Sequence, residues 1–198
     1  MILGALDLSA QNPAAECPRW IFERQVMVSV RFFTFRMRRS EGIVVIDREL
    51  AQDIVDLFDL AETIRFPITS AIPISYPPFF WSDARSMAAN NTSAFNFRFI
   101  QGTTRLSWHA FGRAIDINPV LNPCVTDGIA DPAGAVYDPE RWGTLFADSP
   151  LVKLLKDRGW RWGGDWTSLK DWQHLDKPFP GIEGNDLARL AFAPGRFY

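Results

Sequence analysis

Apolar and polar positions along this chain repeat with two periods, and the switches between them mark its elements. Over residues 25–36, Val26, Val28, Val30 and Phe32 alternate with a second apolar set, Met27, Phe33 and Phe35. Apolar residues on both faces predict a strand covered on both sides or buried near an edge. Residues 38–42 read as a turn and 42–46 as a second strand. Asp47 is then a good N-cap, and Leu50, Ile54, Leu57, Phe58 and Ala61 recur at helical spacing. This predicts a helix over 47–65 that lays that stripe on a sheet and stops ahead of Pro67. Residues 68–75 alternate again, but Pro73 makes them an edge or interrupted strand.

The aromatic run 76–81 reads as a rigid loop, either a wall of a groove or a packed corner. A short helix is expected over 82–89. Phe95, Phe97 and Phe99 then alternate, with Arg98 on the opposite face. Residues 118–138 carry three prolines and two glycines and read as one long loop. A helix over 150–158 shows Leu151, Leu154 and Leu155 as its apolar side and Gly159 as its stop. Gly163 and Gly164, set among Trp160, Trp162 and Trp166, predict a tight turn or close backbone approach. A short tail helix is expected over 183–191. These elements predict an α+β fold, a small, mainly antiparallel sheet with flanking helices. An irregular N-terminal arm over 1–25 precedes a single domain over 26–198.

Composition narrows the class. The chain has 198 residues, 47% hydrophobic and 22% charged, which suits one globular domain with a real core. A net charge of -2 gives no electrostatic case for nucleic acid. Arg36, Arg38 and Arg39 form a local basic cluster, read as a solvated hairpin end rather than a site for an acidic polymer. No stretch is long enough to span a membrane. The first residues lack a basic group before Arg19, and Asp7 interrupts their apolar run, so they make a poor signal peptide. Cys17 and Cys124 leave a bridge, two free thiols or a metal role open.

The chemistry concentrates in two places. The chain holds 2 histidines. His109 stands seven residues before Asp116, and His174 three residues after Asp171. Two imidazoles and a carboxylate are a three-ligand zinc set that leaves a position for water. Alternation in Ile115-Asp116-Ile117 predicts a strand with Asp116 on one face. Asp171 is placed to act as the base beside the metal. On a regular strand Asp171 and His174 would face opposite ways, and a bend or helical turn at Asp171 would bring them together.

Ser107-Trp-His-Ala-Phe-Gly-Arg-Ala-Ile-Asp116 and Asp171-Trp-Gln-His174 resemble the paired motifs of the D-alanyl-D-alanine carboxypeptidase and L-alanyl-D-glutamate endopeptidase family of zinc peptidases. Residues 91–98 and 159–165 resemble one branch of it, and the likeness runs over about 26–174. The resemblance implies the fold shared with hedgehog signalling domains and Zn2+ held by His109, Asp116 and His174. It implies Asp171 as catalytic base, Arg98 as the cation for a substrate carboxylate or oxyanion (Arg85 being its rival), and Ser107 near the substrate. It also implies a monomer acting on peptidoglycan stem peptides at the cell wall. Carboxypeptidase and endopeptidase action stay open. The alternative is a zinc-stabilised wall or protein binding module, which would pellet with walls without cutting them.

Overall fold

A computed structural model describes residues 17–182 and 186–192. Its backbone is a long hairpin, β1 (Gln25–Phe33) and β2 (Arg39–Asp47), paired antiparallel from Gln25 opposite Asp47 to Phe33 opposite Arg39. The turn falls at Thr34–Arg38, where the Arg38 carbonyl accepts from the Thr34 N–H at 2.9 Å. The second strand therefore starts three residues earlier than its apolar run suggests. Arg36 and Arg38 are exposed, and Arg39 pairs with Glu62 at 3.0 Å.

The hairpin divides two cores, because each of its faces carries apolar side chains. Val28, Val30, Phe32, Val44 and Ile46 enter one core, and Val45 enters the other. In the first core they meet α2 (Ala51–Thr63), whose Ile54, Leu57, Phe58 and Ala61 are buried. The Phe32 and Phe58 rings stand 6.2 Å apart. The helix opens with a 3-10 turn, Arg48–Leu50, capped by the Asp47 carboxylate accepting from the Glu49 N–H. The helix is over before Pro67, as its steric demand on the preceding residue requires.

Behind α2 lies α4 (Pro150–Asp157), which buries Leu151, Val152 and Leu155; Leu154 is only half-buried. The second core gathers Phe22, Phe79, Trp81, Phe95, Phe97, Trp108 and Phe111. Within residues 76–81 Phe79 and Trp81 point inward and Phe80 outward, so this run is chiefly a packed corner. A short helix, α3 (Asp83–Ala88), follows, capped by Ser82.

Several expected boundaries change. Residues 1–16 of the expected arm lie outside the described residues, and its end is not irregular. There α1 (Arg19–Glu23) buries Ile21 and Phe22. Pro73 leaves only β3 (Ser70–Ala71), which pairs with β4 (Asn91–Thr92) in parallel. Phe95 and Phe97 are buried but Phe99 is exposed, and of this run only the bridge from Phe99 to Leu106 is strand-like.

The expected loop over 118–138 contains a hairpin, β6 (Cys124–Thr126) and β7 (Ile129–Asp131). Its turn is Asp127-Gly128, both at positive φ, the pair that two-residue hairpin turns favour. Three more short strands complete the chain: β8 (Arg161–Trp162), β9 (Lys170–Asp171) and β10 (His174–Asp176). With β5 (Ala114–Asp116) they build two antiparallel three-stranded sheets, ordered β5-β10-β8 and β7-β6-β9. The fold is mixed α and β with small, mainly antiparallel sheets. The tail helix is α5 (Leu187–Phe192); residues 183–185 of its expected span lie outside the described residues.

Leu57 lies wholly inside the first core. Leu57→Ala is expected to lower stability by about 2–5 kcal/mol, the range for truncating a buried leucine. Urea unfolding checks this, and a loss under 1 kcal/mol (roughly the scale of a surface substitution) would mean the stripe does not carry the packing.

Candidate metal centre

The centre is made by register. β10 pairs antiparallel with β5 so that His174 lies opposite Asp116, Leu175 opposite Ile115 and Asp176 opposite Ala114. Side chains alternate across a strand. Ile115 and Leu175 therefore enter the first core, while Asp116, His174 and Asp176 share the other face. His109 reaches this face from a 3-10 turn, Trp108–Phe111. The turn closes on Gly112 at φ 64°, where a Cβ would collide with the Gln25 side chain and stand 2.7 Å from the Asp47 nitrogen.

His109 Nε2 and His174 Nδ1 are 3.1 Å apart. His174 Nδ1 is 3.1 Å from Asp116 Oδ1, and His109 Nε2 is 3.2 Å from Asp116 Oδ2. All three residues are buried. Two donors each about 2.0–2.1 Å from a tetrahedral ion stand about 3.3–3.4 Å apart, and these contacts, made to Asp116 through its two oxygens, are of that scale. The tautomer suits it too. His109 Nδ1 lies 2.6 Å from the Ala94 carbonyl, which can only accept, so Nδ1 carries the proton and Nε2 is left for the centre. The Trp166 ring lies 5.4 Å from that of His174 and walls one side.

Within the cluster the carboxylates and imidazoles act on one another's charge. Burial opposes the charge of Asp116, but His109 and His174 outweigh it and hold the carboxyl below its usual range. Burial likewise opposes protonation of His174. Hydrogen bonds to Asp116 and Asp176, and their charges, outweigh that and push it up to about 10.

Asp171 is placed by a bend. It ends β9, residues 172 and 173 form a turn, and His174 starts β10 in the other sheet. Gly163 makes room for it: a Cβ there would collide with the Asp171 carbonyl and lie 2.9 Å from its Cβ. Asp171 Oδ1 is buried and has no hydrogen-bond partner, and neither does Gln173 Oε1. Burial, chiefly, pushes the Asp171 carboxyl up to about 6; the nearby charge of Asp116 adds to this, while His174, Gln173 and His109 act against it.

Ser107, Arg98 and Arg85 are not among the clustered donors. Ser107 is buried, and its hydroxyl accepts from the His109 N–H at 3.3 Å, so it caps the ligand-bearing turn. Arg98 pairs with Asp83 at 3.2 Å, and its Nε is buried without a partner. Its charge is felt by Asp131, which is opposite Cys124, itself opposite Asp171. Arg85 lies over the Phe80 ring at 5.9 Å. Cys17 and Cys124 are free thiols, each pushed up to about 12 by burial, with Asp171 adding to the effect at Cys124. Asp176 was not foreseen, although its place two residues after His174 puts both on one strand face.

Residues 101–177 match the family model described as D-alanyl-D-alanine carboxypeptidase. The chain resembles the zinc peptidases of that family. The matched segment, under half of the chain, contains His109, Asp116, Asp171 and His174, and it supports a peptidase, and a metallopeptidase in particular. No curated protein and no solved structure matches significantly.

Asp171 binds a proton more readily folded than unfolded, since its pKa rises from the ordinary 3.8 to about 6. Its charging therefore removes stability as pH rises from about 4 to 6. In metal-free protein, Asp171→Asn is expected to melt above wild type at pH 7, with the gap closing by about pH 4. Thermal melts at both pH values check it; a gap that is independent of pH would disprove the buried, costly carboxylate.

Proposed function

We propose that this protein is a zinc peptidase of the hedgehog/DD-peptidase fold that hydrolyses peptidoglycan stem peptides at the cell wall. The observation that carries the reading is the cluster of His109 Nε2, Asp116 and His174 Nδ1, with a buried carboxylate beside it, Asp171, whose Oδ1 has no partner. His109, Asp116 and His174 would hold the ion. When bound, zinc supplies Lewis acidity, which acidifies a water and withdraws charge from a carbonyl.

The chain's own groups do the rest. Asp171 is close enough to feel the charges of His174 and Asp116. Its raised pKa suits a group that takes a proton near neutral pH and gives it back. Peptide hydrolysis needs both acts: a proton leaves the attacking water as the C–O bond forms, and a proton reaches the amide nitrogen as the C–N bond breaks. Asp171 Oδ1 serves both. Gln173 Oε1 is a second free acceptor for a substrate N–H. Arg98, fixed by Asp83, is the cation assigned to a substrate carboxylate or carbonyl oxygen.

The test is mass spectrometry of purified stem peptides incubated with zinc-loaded protein. Wild type is expected to release a peptide or D-alanine fragment. Asp171→Asn is expected to keep its zinc and lose about 10²–10⁴-fold in rate, the scale of general acid–base catalysis. Walls that pellet the protein without being cut would favour a binding module. A zinc-free Asp171→Asn protein would make Asp171 a ligand.

Metal uptake must also displace the proton that His174 Nδ1 holds against Asp116. Apparent zinc affinity is thus expected to rise about tenfold per pH unit through neutrality. Calorimetry in two buffers of different ionisation enthalpy reads the released proton directly. Uptake that releases no proton at pH 7 would contradict the charged state of His174.

A further inference from the structure

We propose that Asp176, anchored by Arg161, positions His174 as a ligand, so that metal affinity depends on this pair as well as on the three donor residues. The inference rests on the metal-site reading above. β-Pairing fixes the backbone and Cβ of His174 but not its ring. A half-turn of the ring about its bond to Cβ would replace Nδ1 by a carbon at the centre. Two contacts oppose this: Nδ1 lies 3.1 Å from Asp116 Oδ1 on the near side, and on the far side Nε2 lies 3.2 Å from Asp176 Oδ2, the one that does not involve a donor residue. A carboxylate can only accept there, so it selects the ring orientation in which Nε2 carries a proton and Nδ1 faces inward.

Asp176 is itself held. It is 1% exposed, and its second oxygen accepts from Arg161 Nε at 2.7 Å. The two residues are direct cross-strand partners in β10 and β8. Opposite Asp176 on the other side stands Ala114, whose small side chain leaves space for the carboxylate and the imidazole. Arg161 also lies over the Trp108 ring at 5.9 Å, next in sequence to His109. One guanidinium thus braces both ligand-bearing segments.

The two histidines are oriented by different means. His109 gives its Nδ1 proton to the backbone carbonyl of Ala94, which no side-chain substitution removes. His174 depends on a side chain, so its orientation can be switched off. The competing possibility is that Asp116 and packing against Trp166 hold the ring without Asp176.

The experiment compares wild type with Asp176→Ala, Asp176→Asn and Arg161→Gln. Zinc affinity is read by competition with a chelator, and the His174 ring N–H by nitrogen-edited NMR on metal-free protein. Asp176→Ala is expected to weaken zinc binding by about 10–100-fold, the usual cost of losing such an outer partner. Asp176→Asn keeps an acceptor and is expected to recover most of that loss, and Arg161→Gln to lose less than Asp176→Ala. The protected Nε2–H signal is expected in wild type and absent in Asp176→Ala. Wild-type affinity in Asp176→Ala, or an unchanged Nε2–H signal, would overturn the inference. If Asp176→Ala does not fold, Arg161→Gln carries the test, and wild-type zinc affinity there would overturn it. If wild type takes up no zinc, the metal-site reading fails, while the Nε2–H signal still decides whether Asp176 holds His174.

Discussion

The pairing of β5 with β10 is the constraint on which the site depends. Three residues of each strand meet, and within them one alternation serves two purposes. Ile115 and Leu175 go into the core beneath α2, and Asp116, His174 and Asp176 go to the opposite face. A slip of one residue would move His174 into hydrocarbon and Leu175 to the metal face. The apolar pair therefore fixes the register that the polar residues need. The same core contains Leu57 and the hairpin's Val44 and Ile46, so the geometry of the ligands is guarded by side chains that never touch them.

Holding those polar groups there opposes folding in the absence of metal. Two imidazoles and a carboxylate within hydrogen-bond distance of one another, all buried, are stable only because their charges offset one another. Asp171 is offset less: His174, Gln173 and His109 act against its burial without overcoming it, and its Oδ1 has no hydrogen-bond partner. A buried acceptor without a donor costs about 1–3 kcal/mol. Residues retained at such cost mark sites where chemistry has overridden stability. The surrounding ion pairs look structural by contrast. Arg113 bonds Glu49 and the Lys177 carbonyl and lies over Phe179, tying the entry of β5 to the exit of β10.

The cluster of His109, Asp116 and His174 was legible because chemistry limits the residues that could hold a metal. With two histidines in the chain, each spaced from a carboxylate, the ligand set had few alternatives. The stripe of α2 was legible because 3.6-residue spacing sustained over several turns has no strand-like reading. What escaped was set by partners remote in sequence. The Asp127-Gly128 turn was present as a hairpin signal, but prolines on either side made the whole segment read as loop. The role of Asp176 needed Arg161 across β8, and that of Ser107 needed the turn it caps. Leu154 and Val152 differ by half a turn, and only the position of the core chose Val152.

The two small sheets meet at one turn, and this is where Asp171 is kept apart from the cluster of His109, Asp116 and His174. His174 belongs to the β5-β10-β8 sheet, and Asp171 to the β7-β6-β9 sheet. Residues 172 and 173 join them, with the Trp172 N–H given to the Pro123 carbonyl and the Trp172 carbonyl accepting from Trp162 Nε1. Trp172 is further stacked on Tyr137, 3.8 Å between centroids. The junction is thus clamped from both sheets and from the loop beyond β7. Such bracing allows a carboxylate to stand close to a histidine three residues away without joining its hydrogen-bond cluster. Had the strand run straight through, Asp171 would face away from His174. Had it continued as a helix, Asp171 would share the ligands' face and compete for the ion. The turn is the intermediate solution, placing Asp171 near enough to sense His174 and Asp116 while leaving its oxygen free.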